Sequence, residues 1–251
     1  VPVWGLEEIR ASRLTPVDPA TLPDKPAFSA DPLNLFVVVE LGDHHATILD
    51  GDRLEPIHRF PTRFALHGGP KFSPDGRFVH FASRDGWISR FDLYSLQTVA
   101  EIRAGINTRN LAVSADGRYV MVANTLPHSL VLLSAADLSP IKVIPVQDDA
   151  GKGSRVSAVY GAPPRHSFIA ALKDIPELWE IQYRDDPLPV YNGPMHDYAL
   201  NEGIARQSGP FPVRRIHLTD YLDDFSFDPA YRIVLGASRD GRPGQVISYI
   251  I

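Results

Sequence analysis

Four side chains able to carry charge or bind a metal recur in this chain at a similar distance from a tight turn. His67 stands ahead of Ser73-Pro74-Asp75-Gly76 and Arg109 ahead of Ser114-Ala115-Asp116-Gly117. Arg155 stands ahead of Gly161-Ala162-Pro163-Pro164, and Asp223 ahead of Asp228-Pro229-Ala230. Each turn separates two short apolar runs, so one backbone position returns once per repeat and presents a functional group each time. Guanidinium forks pair with carboxylates and keep their charge when buried. An imidazole without acidic neighbours can ligate iron from one side.

The elements that must position these groups are short strands. From residue 35 onward, β-branched and aromatic runs alternate with Gly, Pro, Asp and Asn, which predicts antiparallel sheet. Residues 72–83 (FSPDGRFVHFAS) and 113–124 (VSADGRYVMVAN) are two copies of one pattern 41 residues apart, the length of a four-stranded propeller blade. Looser copies begin at 165 (RHSFIA) and 231 (YRIVLG), and a first copy lacking its leading strand runs through 35–40, 46–50 and 53–60. The Asp-Gly pairs supply the positive φ that a tight hairpin needs. The expected fold is all-β: a partial β-propeller of four-stranded antiparallel blades, four to five in number, over residues 34–251. Residues 1–33 carry six prolines and predict a linker or packed arm, with a short helix at residues 6–12. The stretch 191–215 shows no strand pattern and reads as a long inter-strand loop or insertion lying over the functional face.

In a blade, the connection between successive blades and the loop between its second and third strands emerge on the same side. Those second-to-third-strand loops contain Gly42-Asp43-His44-His45, Ser83-Arg84-Asp85-Gly86, Asn124 to His128, Lys173 to Pro176, and Ser238-Arg239-Asp240-Gly241. One side thereby collects His44, His45, His67, Arg84, Arg109, Arg155, Lys173 and Arg239. A carboxylate-rich haem meets the demands of a histidine among arginines, whereas a phosphorylated small molecule would leave His67 without a role. The bland reading of a histidine before Gly-Gly is a polar loop residue. Arg77 and Arg118 follow the tight turns and read as blade-stabilising, and Asp85 and Asp240 as turn caps. His58, His80, His128, His166 and His217 read as satisfied surface or core residues. His44-His45 lacks a third metal ligand, and no nucleophile–base pair, phosphate loop or zinc signature stands out.

A formal charge of −5 without a basic stripe argues against a nucleic-acid partner. No apolar run approaches a membrane span. The absence of cysteine excludes disulfides, thiolate metal sites and covalently attached c-type haem within these residues. The chain begins at Val1 and stops inside a strand-like run, so a piece of a longer protein, cut within its last blade, is expected.

The run HGGPKFSPDGRFVHFASRDG at 67–86 resembles the haem d1 propeller of cytochrome cd1 nitrite reductases and their relatives in haem d1 biosynthesis. The likeness extends from about residue 34 to 249. It implies an eight-bladed propeller, with His67 as proximal iron ligand and Arg84 and Arg109 holding the macrocycle's carboxylates. Lys71 lies one residue from a further basic position of the family, and Arg155 joins the cofactor-binding set through the repeat. The reductases have an Arg-Asp pair where this chain has Gly42-Asp43, a catalytic distal histidine where it has Asp223, and another active-site histidine near Pro163. The wording of 41–45, 65–73 and 154–160 is closer to the dihydro-haem d1 dehydrogenase branch. That branch joins a cytochrome c domain to the propeller and oxidises a propionate side chain to an acrylate, which would make residues 1–33 the connection to such a domain. The resemblance thus implies a periplasmic oxidoreductase of denitrification. Its c-type haem would lie outside this chain, with nitrite reductase or haem d1 biosynthesis proteins as possible partners. A cd1-type nitrite reductase, a non-catalytic haem d1 carrier and a protein-interaction propeller are the alternatives. No catalytic residue is assigned.

Overall fold

The computed structural model describes residues 3–191, 205–207, 209–238 and 246–251. The chain divides into two compact units, residues 1–145 and 146–251. No helix among the described residues is long and apolar enough to cross a membrane.

The first unit holds helix α1 (Leu6–Ala11) and three antiparallel sheets whose strands are neighbours in chain order. The first sheet is β1 (Leu35–Glu40), β2 (His45–Asp50) and β3 (Pro56–Pro61). The second is β4 (Lys71–Phe72), β5 (Phe78–Ala82), β6 (Trp87–Asp92) and β7 (Gln97–Arg103). The third is β8 (Asn107–Val113), β9 (Tyr119–Leu126), β10 (Ser129–Ser134) and β11 (Pro140–Pro145). The missing leading strand of the first copy is therefore missing from the first sheet as well.

The two Asp-Gly turns fold as their sequences require. Gly76 and Gly117 take φ of +74° and +71°, which costs a residue without Cβ nothing. Ser73 and Ser114 brace them: each hydroxyl donates to the turn aspartate, Asp75 or Asp116, and accepts from the backbone N–H that opens the next strand, Phe78 or Tyr119, at 2.9 Å.

Because β5 is covered on both faces, its side chains divide between two cores. Val79 and Phe81 pack with Phe91, Ala46, Ile48 and Phe60 against the first sheet. Ala82 packs with Ile88, Ile102, Leu111, Val122 and Val131 toward the third. The N-terminal segment joins this second core. Ile9 is fully buried in it, Trp4 donates from Nε1 to the Arg103 carbonyl at 3.1 Å, and Leu14 bridges to Glu101. Residues 4–14 are thus a packed arm.

The second unit contains β12 (Val156–Ala162), β13 (Ser167–Leu172), β14 (Glu177–Gln182), a small pair β15 (Val190–Tyr191) and β16 (Ala205–Gln207), then β17 (Val213–His217). The sheet β12-β13-β14-β17 is a further blade, and β18 (Leu222–Phe227), β19 (Ile233–Ser238) and β20 (Val246–Ile250) form a three-stranded one. Two expectations need correction. Gly161 and Ala162 belong to β12, and the turn is the 3-10 helix Pro163–Arg165 closed by His166 at φ +50°. Residues 213–215 are strand, because Val213 to Arg215 pair with Ile181 to Trp179. The insertion before them leaves β14 at Gln182, which faces Ser167. Residues 192–204 and 208 of that insertion lie outside the described residues.

Candidate functional site

His67 lies in the connection between β3 and β4. Its N–H donates to the Ala82 carbonyl at 2.8 Å, and Leu66 bridges to Ser83, so the segment is laid along the end of β5. Gly68 and Gly69 follow at φ +84° and +70°. A Cβ on Gly68 would stand 2.5 Å from Asn110 Cβ and 3.0 Å from its Cα. The absence of a side chain lets the turn press against β8.

That close approach sets the imidazole on Arg109. Nδ1 of His67 lies 2.6 Å from the Arg109 carbonyl oxygen, and Arg109 Nη1 lies 3.2 Å from Nε2. A carbonyl only accepts and a guanidinium only donates, so both contacts select the same tautomer: hydrogen on Nδ1, lone pair on Nε2. Carbonyl-held Nδ1 with Nε2 as donor atom is the arrangement that orients metal-ligating histidines.

Arg109 owes its position to an irregularity in β8. The pairing with β9 shifts register between Thr108 and Asn110, leaving Arg109 at a bulge, a feature that re-aims a side chain. Both neighbours are pinned. Thr108 donates from Oγ1 to buried Asn124 at 2.6 Å and from its N–H to the Arg84 carbonyl at 3.2 Å, while Asn110 lies under Gly68. Arg84 also donates its N–H to the Ala65 carbonyl at 3.0 Å, so its main chain clips the His67 segment to the Arg109 segment. Its side chain is exposed and forms no ion pair among the described residues. Lys71 turns back to donate to the Gly68 carbonyl at 2.9 Å, and partial burial holds its ammonium pKa below the usual value. Beside them opens a cavity of about 390 Å³ lined by Val37, Val39, Leu66, His67, Pro70 and Phe81 among others.

His67, Lys71, Arg84 and Arg109 are therefore brought together in the first unit. Arg155, in the second, instead forks onto Asp174, with Nη2–Oδ1 at 2.6 Å and Nε–Oδ2 at 2.9 Å. Lys173 pairs with Asp223 at 2.8 Å. Arg155 and Lys173 thus both have carboxylate partners. His44 accepts from the Ala65 N–H at 3.4 Å and packs on Phe64, and His45 bonds the Asp43 carbonyl. No group of three metal-ligating side chains occurs among the described residues. Arg239 and Asp240 lie outside the described residues.

Sequence reasoning missed the packing function of Gly68 and the Arg109 carbonyl; the consecutive glycines after His67 were the available signal. It also read His80 as satisfied. The structure buries His80 at 1 % exposure with neither ring nitrogen in a well-aligned hydrogen bond.

Comparison with known proteins places these features. The family described as Cytochrome D1 heme domain matches residues 30–193, a span that includes all five candidate residues. The Dihydro-heme d1 dehydrogenase of Pseudomonas aeruginosa is 61% identical over 246 residues, covering 98% of this chain and 45% of the relative. Protein NirF of the same organism is 29% identical over 159 residues, 62% of this chain and 40% of that one. The chain spans less than half the length of these curated relatives. The solved structure of the dihydro-heme d1 dehydrogenase NirN in complex with DHE matches with a TM-score of 0.85 at 58% identity, covering 100% of this chain and 48% of that one. A β-propeller domain from Myceliophteria thermophila matches at TM-score 0.61 and 12% identity, over 91% of this chain and 65% of that one, a likeness of fold alone. The four-stranded antiparallel sheets are blades of a β-propeller, and the chain belongs to the cytochrome D1 haem domain family.

Proposed function

We propose that this chain is the haem d1-binding part of a periplasmic dehydrogenase that converts dihydro-haem d1 to haem d1. One observation carries the reading: the Arg109 carbonyl holds His67 Nδ1 and leaves Nε2 as the donor nitrogen. The donor set fits the group. A single imidazole, three nearby cations and an apolar cavity match an iron macrocycle with carboxylate side chains. The 61% identity to a protein named for this reaction supports the same assignment.

In this reading His67 binds the iron, and Arg84, Arg109 and Lys71 neutralise the carboxylates. Arg155 is a weaker candidate for that task because Asp174 already meets its charge. Val37, Val39 and Phe81 would offer the macrocycle an apolar wall. The macrocycle is the substrate, and oxidising its propionate to an acrylate releases two electrons and two protons. The electrons require an acceptor, for which a c-type haem in a domain outside this chain is the expected partner, with residues 1–33 leading to it. A nitrite reductase would need a distal proton donor, and the position that resembles it holds Asp223, engaged by Lys173.

The test is an absorption titration of the full-length protein with haem d1, wild type against His67→Ala. An imidazole-ligated spectrum that the variant loses is the expected result. Identical titrations, or no binding, would overturn the haem reading and leave the cationic face as a surface for an acidic partner. Turnover of dihydro-haem d1 with a c-type electron acceptor then separates a dehydrogenase from a carrier.

A further inference from the structure

The N-terminal arm and the site meet through one strand. β7 is an edge strand of the second sheet, and the arm meets its outward backbone groups at two alternate positions. Leu14 and Glu101 exchange both main-chain hydrogen bonds, at 2.8 and 2.9 Å. Two residues on, the Arg103 N–H donates to Ser12 Oγ at 2.9 Å, and the Arg103 carbonyl accepts from Trp4 Nε1 at 3.1 Å. Alternate residues of a strand share a face. On that face Glu101 takes the fork of Arg63, four residues ahead of His67, at 3.0 and 2.6 Å. Arg103 reaches the loop that carries Arg84: its Nε donates to the Asp85 carbonyl at 2.8 Å, with its guanidinium 5.1 Å from the Trp4 ring centroid.

The peptide joining Asp85 to Gly86 is the part of that loop most able to turn over, because Gly86 holds φ +96° with no Cβ to hinder rotation. Its N–H side is held by donation to the Ser83 carbonyl at 3.1 Å, and its carbonyl side by Arg103. The next carbonyl, of Gly86, accepts from the Ala104 N–H at 2.8 Å and closes the loop onto the end of β7. Arg84 immediately precedes Asp85, with its main chain already clipped to Ala65 and Thr108. We propose that Arg103 is a positioning residue for Arg84: held by Ser12 and Trp4 of the arm, it fixes the Asp85–Gly86 peptide and so the direction in which Arg84 leaves the loop. The arm is thereby part of the framework of the site. The effect on ligand binding rests on the cofactor reading above, whereas the effect on the loop does not.

The experiment compares Arg103→Gln with Arg103→Met in the full-length protein. Glutamine places an amide nitrogen where arginine carries Nε, and methionine places a methyl group there, so the pair separates the hydrogen bond from the charge. Without ligand, hydrogen exchange at the Gly86 and Ala104 amides should quicken about fivefold in Arg103→Met and stay near wild type in Arg103→Gln. In the titration with haem d1, Arg103→Met should weaken binding about fivefold and Arg103→Gln should retain it. That loss should vanish in an Arg84→Ala background, since a displaced loop acts only through the arginine it carries. Ser12→Ala should shift exchange and affinity in the same direction by less, and it carries the test if Arg103→Met fails to fold. Unchanged exchange, equal effects of glutamine and methionine, or the same affinity loss with and without Arg84 would overturn the proposal. Quickened exchange with no imidazole-ligated haem d1 band in any variant or in wild type would overturn the cofactor reading instead and leave Arg103 as the brace of the loop.

Discussion

His80 and Arg90 face each other across the β5–β6 pair, both turned into the packing between the second and third sheets. Neither ring nitrogen of His80 makes a well-aligned hydrogen bond, with only the Ala135 and Lys71 backbone beside the ring, and Arg90 Nε is likewise buried without a partner. Lys71 stands opposite His80 on the other side, so three basic residues form one row across adjacent strands. Arg90 stabilises itself partly over the Phe78 ring, 3.4 Å from its centroid, while burial lowers its own pKa to about 10. The row is costly to charge further, and His80 is the member that can remain neutral.

Stability should therefore depend on pH through His80. Burial, reinforced by Arg90, lowers its pKa from 6.5 to about 4. Between those values the unfolded chain takes up a proton that the folded chain refuses. The contribution is complete above pH 6.5 and is lost as pH falls toward 4. Denaturant unfolding at pH 7 and pH 5 should show wild type losing about 2 kcal/mol more than His80→Leu over that interval. Equal losses in the two proteins would mean that the ring is solvated or paired.

Gly68 and Gly69 look interchangeable in sequence and differ in surroundings. A Cβ at Gly68 meets the backbone of β8, whereas one at Gly69 meets only the Lys71 ammonium at 3.7 Å. Gly69→Ala should cost about 1 kcal/mol for its left-handed backbone and leave tetrapyrrole binding intact. Gly68→Ala must push the His67 turn off Asn110 and open the Nδ1 contact. Its iron-ligand affinity should fall about ten- to hundredfold, measured by the same titration.

The Arg155–Asp174 fork separates Arg155 from Arg84, two cations that the sequence gathers on one side. Arg155 is nearly half exposed and has a carboxylate in hand. Arg155→Ala should change unfolding free energy by less than about 1 kcal/mol and macrocycle affinity by less than about twofold. Arg84→Ala should weaken affinity about tenfold, since a carboxylate would lose a charge-assisted partner. Equal effects of the two substitutions in a binding titration would restore Arg155 to the site.

What could be read in advance was local. The Asp-Gly turns announce themselves because a positive φ is written in the glycine, and their 41-residue spacing gives the blade. The third and fourth turns were blurred because His166 and Tyr231, neither a glycine, take the left-handed conformation there. His67, Arg84 and Arg109 were legible because the repeat aligns them. Strand β17 was not, since the consecutive Arg214 and Arg215 break any apolar alternation and the strand pairs with β14 across some thirty intervening residues. The fate of Arg155 depended on an aspartate nineteen residues away, and that of His80 on what covers it in the third sheet. Both are properties of packing between strands, which no motif encodes.

Pro23 of the N-terminal segment is tied to the second sheet through a buried ion pair. Asp92 has a fully buried side chain, and Arg77 meets it with Nε–Oδ1 at 2.7 Å and Nη2–Oδ2 at 3.1 Å. The same Nη2 donates to the Pro23 carbonyl at 3.0 Å. The pair holds the Asp92 carboxyl below the usual range against the opposing cost of burial. Removing Arg77 leaves that carboxylate supported by the backbone N–H groups of Tyr94 and Ser95. Arg77→Met should destabilise the protein by roughly 3 kcal/mol, the range for breaking a buried pair from one side. Because Pro23 loses its anchor too, limited proteolysis should cut within residues 15–33 faster in the variant. Arg77→Met with Asp92→Asn should recover part of the stability, since no buried charge is then left alone. A double variant no more stable than the single one would place the effect in the Pro23 contact and the Phe78 and Tyr94 rings that Arg77 covers.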